Sequence, residues 1–486
     1  MIDTEALRKK VIELAIQGKL TEQLPSDGDA ETLYAQIQEE KEKLIKEGRI
    51  KKEKALPPIS DEEIPYKIPS TWKWVRLATL YEINPKVEAD NKMRAAFIPM
   101  EMISAGFSKE FSYEEQDWLT ASKNHTKFQN DDVAFAKISP CFENRKSFIA
   151  RNLPNGIGGG TTELIILRQK HVLPEYTYYV VLDQRFISAG SMTYKGIVGQ
   201  QRVKSDVINN YLVALPPLAE QKRIVEKLDT VLNQIDIIDD LQQQYESDLS
   251  VLKGKIIDAG IRGKLTEQLP EDGDAETLYS QIQEEKAKLI KEGKIKKEKP
   301  LPEIDADEIP FEIPKNWKWV RLGDISSKIS SGNTPAGGKR SNAYVEQGFC
   351  FFREQNIYDD GIHEEGMVYI SKELLDTRPN STVLPKDILL NITGGSIGRC
   401  AIIPDDFSKG SINQHILIIR MIDERLRYYI HHCLCSPFMQ KYIKGNAVGD
   451  KDGFSGGRCK NMLIPLPPVL EQERICNKTN AILEQV

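Results

Sequence analysis

The chain has 486 residues, 40% of them hydrophobic and 28% charged, with a formal net charge of −6 at pH 7. That length is more than one core can use and fits two domains plus a scaffold. It contains no apolar run of the ~18 residues a membrane helix needs, and its acidic, amphipathic N-terminus does not read as a signal peptide. The net charge excludes a uniformly basic nucleic-acid binder, yet the average hides a division. Residues 72–215 and 317–466 carry about +3 each, which leaves about −12 for the remainder.

In chain order, residues 3–18 show a short amphipathic pattern with Leu7, Val11 and Ile12 on one face. After a Ser26-Asp27-Gly28-Asp29 break, Leu33, Ile37, Leu44 and Ile45 give residues 30–54 the stripe of a helix, and residues 275–299 are a near-copy. The basic ends Arg49-Ile50-Lys51-Lys52 and Lys294-Ile295-Lys296-Lys297 read as solvated helix termini, with phosphate contact as the other option. Residues 56–69 and their repeat 301–314, rich in Pro, Asp and Glu, are linkers.

From Trp72 to Leu215 the texture changes to short β-like runs at 95–98, 133–138, 147–150 and 164–167, followed by helical residues 174–187. The second block repeats this at 350–352, 388–392, 399–403 and 416–419, with helical residues 426–443. Each block is α+β with a mixed, curved sheet.

Between the blocks, residues 220–263 predict one long helix. Ile224, Leu228, Val231, Ile235, Ile238, Tyr245, Leu249, Leu252 and Ile256 fall alternately four and three apart except at Gln242. A 3.5-residue apolar repeat implies supercoiling against a partner helix, in a rod of roughly 60 Å. The chain supplies that partner. Gly18-Lys19-Leu20-Thr21-Glu22-Gln23-Leu24-Pro25 recurs from Gly263 to Pro270, and Trp72-Lys73-Trp74-Val75-Arg76-Leu77 recurs from Trp317 to Leu322. Leu215-Pro216-Pro217-Leu218 with Glu220-Gln221 returns as Leu466-Pro467-Pro468-Val469 with Glu471-Gln472. The two chain ends match the two ends of the central helix, so they read as halves of a second helix that runs antiparallel to it. A pseudo-twofold, circular arrangement follows. Its parts are 1–71 (N-terminal scaffold helix and linker), 72–215 (first recognition block), 216–316 (central helix and linker), 317–466 (second recognition block) and 467–486 (C-terminal half-helix). The terminal halves leave the counterpart of about residues 236–245 uncovered, so either the chain is shortened at its C-terminus or that half of the coiled coil is gapped.

These features resemble the specificity subunit of type I restriction-modification enzymes over essentially the full length. Asp132-Val133-Ala134-Phe135-Ala136-Lys137-Ile138-Ser139-Pro140-Cys141-Phe142-Glu143-Asn144, followed by residues 156–163, looks like one class of target recognition domain. Residues 387–391, Thr393-Gly394-Gly395-Ser396-Ile397-Gly398-Arg399 and Asn413-Gln414-His415 look like another. The resemblance implies a non-catalytic cytoplasmic subunit with two target recognition domains on an antiparallel coiled coil. It implies that double-stranded DNA is bound as a bipartite target, with the rod setting the unread gap. Two copies of a methyltransferase subunit would dock, with translocase-nuclease subunits attached through them. It implies no cofactor in this chain, with S-adenosylmethionine, ATP and magnesium on the partner subunits, and no membrane partner. A recognition subunit of a related type II methylase-nuclease and a coiled-coil adaptor with two protein-binding domains are the alternatives.

The sequence carries no Walker A run, no glycine-rich adenosylmethionine loop and no Asn-Pro-Pro-aromatic tetrapeptide, so binding without catalysis is expected. Cys433 and Cys435 with His431 and His432 suggest a metal, but alternate cysteines on a helix splay apart, and no metal is expected. Arg or Lys can pair with guanine, and Asn or Gln with adenine, in the major groove. The candidates in the first block are Lys137, Ser139, Asn144, Arg145, Lys146, Thr161, Thr162, Lys195, Gln200, Gln201 and Arg202. In the second they are Thr393, Ser396, Arg399, Asn413, Gln414, His415, Lys451 and Arg458. Each has a base, a phosphate or a purely structural role open to it. Residues 156–160 read as a turn, the acidic pairs Asp131-Asp132, Asp359-Asp360 and Asp405-Asp406 as turn residues, and the Trp pairs as core anchors.

Overall fold

A computed structural model describes residues 1–50, 56–194, 201–334, 343–447 and 453–486. The chain divides into two compact units, Met1–Gln243 and Gln244–Val486, and the boundary falls inside the central helix Leu218–Ile261. No helix among the described residues is long and apolar enough to cross a membrane.

In the first unit the N-terminal helix Thr4–Ile16 starts where the Asp3 side chain accepts the Ala6 N–H. It runs antiparallel to the central helix. The Ile2 N–H donates to Gln242 Oε1 at 2.6 Å, while Arg8 reaches Asp236 at 2.5 Å and Asp239 at 2.7 Å. Ile12, Ala15 and Ile16 join one buried cluster with Ile224, Leu228, Leu232 and Ile235. Of the predicted seam, Ile224, Leu228 and Ile235 are buried, and Val231, Ile238, Leu249 and Ile256 are half-buried. Tyr245 and Leu252 correct it: they are 61% and 45% exposed. A heptad pattern defines a face, but only a facing helix buries it. In the second unit the C-terminal helix Val469–Leu483 meets the central helix at Gly260, beside Ile475 and Thr479.

The helix Ala30–Lys46 buries Ala30, Leu33 and Ile37. Its Gln38 and Lys41 side chains donate to the carbonyls of Thr79 and Ala78 at 3.0 and 2.7 Å. The Pro-rich linker is strapped down. The Arg76 guanidinium, 4% exposed, donates to the carbonyls of Pro57 and Pro58 and pairs with Glu63 at 2.9 Å. The second unit repeats each tie: Ala275–Lys291 holds Gly323 and Asp324, and Arg321 holds Pro302, Glu303 and Glu308.

Within the first recognition block, Lys73–Arg76 pairs with Leu212–Leu215 and closes the block at its two ends. A four-stranded antiparallel sheet orders Glu82–Ile83, Leu164–Arg168, Val133–Ala136 and Ser147–Ile149. A second sheet orders Glu114–Asp117, Arg94–Ile98, Ile157–Gly160 and Thr126–Gln129, with its middle pair parallel. The expected turn at 156–160 is therefore mostly a central strand. Its glycines are there for space: a Cβ on Gly159 would sit 1.8 Å from the Ala121 carbonyl oxygen, and one on Gly158 2.4 Å from Phe128. The expected helix 174–187 is two helices, Pro174–Leu182 and Gln184–Ser191, broken at Asp183.

The second block has the same plan. Lys318–Arg321 pairs with Leu463–Leu466, and an antiparallel sheet orders Ser326–Ser331, Ile416–Met421, Ile388–Asn391 and Cys400–Ile402. A five-stranded sheet carries the parallel pair Phe349–Phe352 and Gly410–Ile412. Its helices Arg427–Cys435 and Pro437–Gly445 part at Ser436, because the residue before a proline is pushed out of the helical region.

Candidate nucleic-acid interface

A buried acid ties each block to its scaffold. The Glu220 carboxyl, 0% exposed, accepts from Trp72 Nε1 at 2.7 Å, Gln23 Nε2 at 2.9 Å and Thr21 Oγ1 at 3.2 Å. In the second unit Glu471, also 0% exposed, accepts from Trp317 Nε1 at 2.8 Å, Gln268 Nε2 at 2.9 Å and Thr266 Oγ1 at 3.1 Å. Outside this net, Arg223 clasps Asp27 and Arg474 clasps Asp272, each at 2.5 Å, and each arginine holds its aspartate below the usual carboxylate range. Trp74 and Trp319 stand edge-on to Tyr66 and Phe311. The four block-opening tryptophans are thus all engaged within the protein.

Asp132 and Asp387 are buried and grip Arg168 and Arg420 through both carboxylate oxygens at 2.6–2.7 Å. Asp132 also closes a turn, its N–H donating to the Gln129 carbonyl at 3.2 Å, so one residue both turns the chain and grips the neighbouring strand.

At that strand end three segments meet. In the first block the Lys137 N–H donates to the Glu163 carbonyl at 2.8 Å, and the Val203 N–H donates to the Lys137 carbonyl at 2.9 Å. In the second, the Ile392 N–H donates to the His415 carbonyl at 2.9 Å and the Phe454 N–H to the Ile392 carbonyl at 2.8 Å. The same backbone frame therefore matches Lys137 to Ile392, Thr161-Thr162 to Asn413-Gln414, Glu163 to His415 and Val203 to Phe454.

In the first block this edge gathers Lys137, Ser139, Thr161, Thr162, Gln201 and Arg202. The Ser139 N–H donates to the Gln201 carbonyl at 2.8 Å, and Thr161 Oγ1 accepts the Glu163 N–H. Arg202 pairs with Glu163 at 2.6 Å and holds that carboxyl below its usual range. Glu163, absent from the sequence candidates, follows directly on Thr161-Thr162, and its acidic charge kept it out of a search for cations and amides. Asn144 lies elsewhere: its carbonyl accepts the Gly106 N–H, and its side chain is exposed. Arg145 is turned inward at 8% exposure. It donates to the Leu182 carbonyl at 3.1 Å and to Gln184, and it stacks over Phe107. Burial depresses its basicity. It is corrected from a base reader to a core brace. Lys146 Nζ donates to the Met100 carbonyl at 2.8 Å, away from the edge. Lys195 and Gln200 lie outside the described residues.

In the second block the edge gathers Thr393, Gln414 and His415. Thr393 Oγ1 meets His415 Nδ1 at 2.7 Å, Gln414 Nε2 meets His415 Nε2 at 3.0 Å, and Thr334, a further residue missed from sequence, donates to Gln414. Asn413 is corrected to a structural role. It is 5% exposed, and its amide donates to Glu354 Oε2 at 2.7 Å while its oxygen accepts the His415 N–H. Ser396 Oγ accepts from Asn391, and Arg399 stacks over Tyr358 at 4.4 Å. Arg458 donates to the Asn446 carbonyl at 2.5 Å, and Lys451 lies outside the described residues.

Two stretches, residues 69–247 and 314–483, match the family model described as type I restriction modification DNA specificity domain. The chain is 32% identical to the type I restriction enzyme EcoAI specificity subunit of Escherichia coli, over 98% of this chain and 88% of that protein. It is also 32% identical to the EcoEI specificity subunit of Escherichia coli, over 96% and 87%. A chain solved in work on the complex assembly and conformational transition of the type I R-M system shares the fold. Its TM-score is 0.62 at 20% identity, covering 87% of this chain and 92% of that one. Two family matches on two like-built blocks, and relatives spanning nearly the whole length, make this chain a member of the type I restriction-modification DNA specificity family, a specificity subunit with two recognition domains.

Proposed function

We propose that the two recognition domains, residues 72–215 and 317–466, each read one half of a bipartite double-stranded DNA target. The chain itself does no chemistry in this scheme. What carries the proposal is one backbone frame used twice with different side chains: Lys137, Ser139, Thr162 and Arg202 at one edge, Thr393, Gln414 and His415 at the other. Equal frames set equal approaches to a groove, and unequal donors and acceptors set unequal sequences. The basic balance of both blocks supports phosphate contact around those edges.

The acidic scaffold, residues 1–71, 216–316 and 467–486, is the docking part. Near-identical surfaces in the two units, fixed by the Trp72–Glu220 and Trp317–Glu471 nets, suit two copies of one methyltransferase subunit. Translocase-nuclease subunits join through them in the cytoplasm and bring ATP and magnesium, while S-adenosylmethionine sits on the methyltransferase. The central helix sets the unread gap.

Exchange of residues 72–215 for another recognition domain tests this. Methylome sequencing of a host carrying the exchanged system should show one half of the target replaced and the other kept. Alteration of both halves would refute independent readers, and a mass limit of one methyltransferase per chain would refute the symmetric docking. Indifference of the assembled complex to DNA at every salt concentration would favour an adaptor.

A further inference from the structure

Among the described residues, the second unit contains a group of donor atoms that the first unit lacks. Strand Cys400–Ile402 and helix Arg427–Cys435 bring one ligand atom each of Cys400, His431 and Cys435 within 4.8 Å of one another. His431 and Cys435 are four residues apart on one helix, so they share a face, whereas Cys433 between them is buried in the hydrophobic core. The third donor comes from a strand some thirty residues earlier, which no local motif announces.

One of these spacings equals that between two ligands of a bound ion. Cys435 Sγ and His431 Nε2 are 3.6 Å apart. Bonds of about 2.3 Å to sulfur and about 2.05 Å to nitrogen, at a tetrahedral angle, put two zinc ligands about 3.6 Å apart. Two thiols and an imidazole are the soft donor set that selects zinc over magnesium or calcium.

The first unit handles the same positions without sulfur. Leu390 faces Cys400 across its sheet as Phe135 faces Ser147, and the Tyr429 and Tyr176 hydroxyls donate to the equivalent carbonyls of Pro465 and Ala214. This alignment puts Ser147, Tyr178 and Leu182 where the second unit has Cys400, His431 and Cys435. Ser147 donates to the Arg145 carbonyl and Tyr178 to the Ser108 carbonyl. All three positions therefore change together, from a serine, a tyrosine and a leucine to two thiols and an imidazole.

We propose that Cys400, His431 and Cys435 bind a zinc-class divalent cation that clips strand to helix in the second recognition domain. The fourth corner is left to water. Asp359 backs the site from outside, with its Oδ1 accepting the Cys400 N–H at 3.0 Å. Without the ion, the His431 Nε2–H has an acceptor in the Cys400 carbonyl at 2.9 Å. Binding replaces that hydrogen bond by a metal–nitrogen bond, moves the ring proton to Nδ1, and releases to solvent any proton carried by the two thiols.

Cobalt(II) titration of the reduced, chelator-treated full chain tests the site. The expected result is a thiolate-to-cobalt charge-transfer band in the near ultraviolet, with the visible bands of four-coordinate cobalt, saturating at about one ion per chain and abolished by zinc. Cys435→Ser should cut the charge-transfer intensity to about half or less and His431→Ala should weaken cobalt binding, while Cys350→Ser changes neither, with circular dichroism checking that each variant is folded. Absence of the bands in the unmutated chain would overturn the proposal without reference to any variant. Their persistence at full intensity in folded Cys435→Ser would also overturn it, as would a Cys400–Cys435 disulfide that, once reduced, takes up no cobalt.

Discussion

Replacing Glu220 by alanine removes one acceptor group and strands three donors: Trp72 Nε1, Gln23 Nε2 and Thr21 Oγ1. The Trp72 bond is fully buried and the indole nitrogen has no second acceptor to turn to. Gln23 keeps bonds to the Gly18 and Thr21 carbonyls, and a threonine hydroxyl can rotate. A buried donor left unpaired costs about 1–3 kcal/mol. One full and two partial losses, plus the vacated volume, come to about 3–5 kcal/mol. Because Glu471 makes the same three bonds at lengths within about 0.1 Å of these, Glu471→Ala should lose a similar amount. Urea unfolding followed by domain-specific probes measures both, with Trp72 and Trp317 as natural reporters. Each substitution should lower the transition of its own unit. A loss below about 1 kcal/mol for either, or a twofold disparity between them, would refute the inference that the repeat preserves this net for its energy.

Three further outcomes follow from the recognition edges and the scaffold. Glu163→Gln removes one negative charge from the edge beside Arg202, so non-specific DNA affinity should rise, read by fluorescence anisotropy, and an unchanged affinity would refute the placement of this edge against DNA. Arg145→Ala should destabilise the first unit by about 2–3 kcal/mol in thermal unfolding, through the carbonyl of Leu182 left without its donor, while the methylated sequence stays the same. A changed target would return Arg145 to the interface. The Asp27 and Asp272 carboxyls titrate lower in the folded chain than unfolded, so their contribution is present above about pH 4 and fades as pH falls through the folded values. Arg223→Met with Arg474→Met should flatten the acid limb of the stability–pH curve below about pH 5, and an unchanged limb would refute the linkage.

The repeat made the scaffold legible because it demanded the same residues twice: Trp72 with Glu220 and Trp317 with Glu471 were conspicuous as copies before their bonds were known. The apolar seam was legible only as a face. Ile224 and Tyr245 fit one period equally well, yet one is buried and the other solvated, because burial depends on where a second helix runs and not on the helix that carries the pattern. The recognition edges were half legible. Residue type picked out Arg145 and Asn413 as readily as Arg202 and Gln414, since a guanidinium or amide that braces a core looks the same in sequence as one at the exposed strand end. What separates them is the carbonyl of Leu182 and the carboxyl of Glu354, partners distant in sequence. The cysteine cluster shows the same limit from the other side. Helical geometry splays Cys433 away from Cys435, but nothing in the sequence shows that a strand delivers Cys400 to the face shared by His431 and Cys435. The scaffold, then, is written in repeated residues, while in both blocks the proposed reading and binding rest on side chains whose partners only the fold supplies. A search for specificity in this family should accordingly compare positions through the Lys137 and Ile392 backbone frame rather than through residue type.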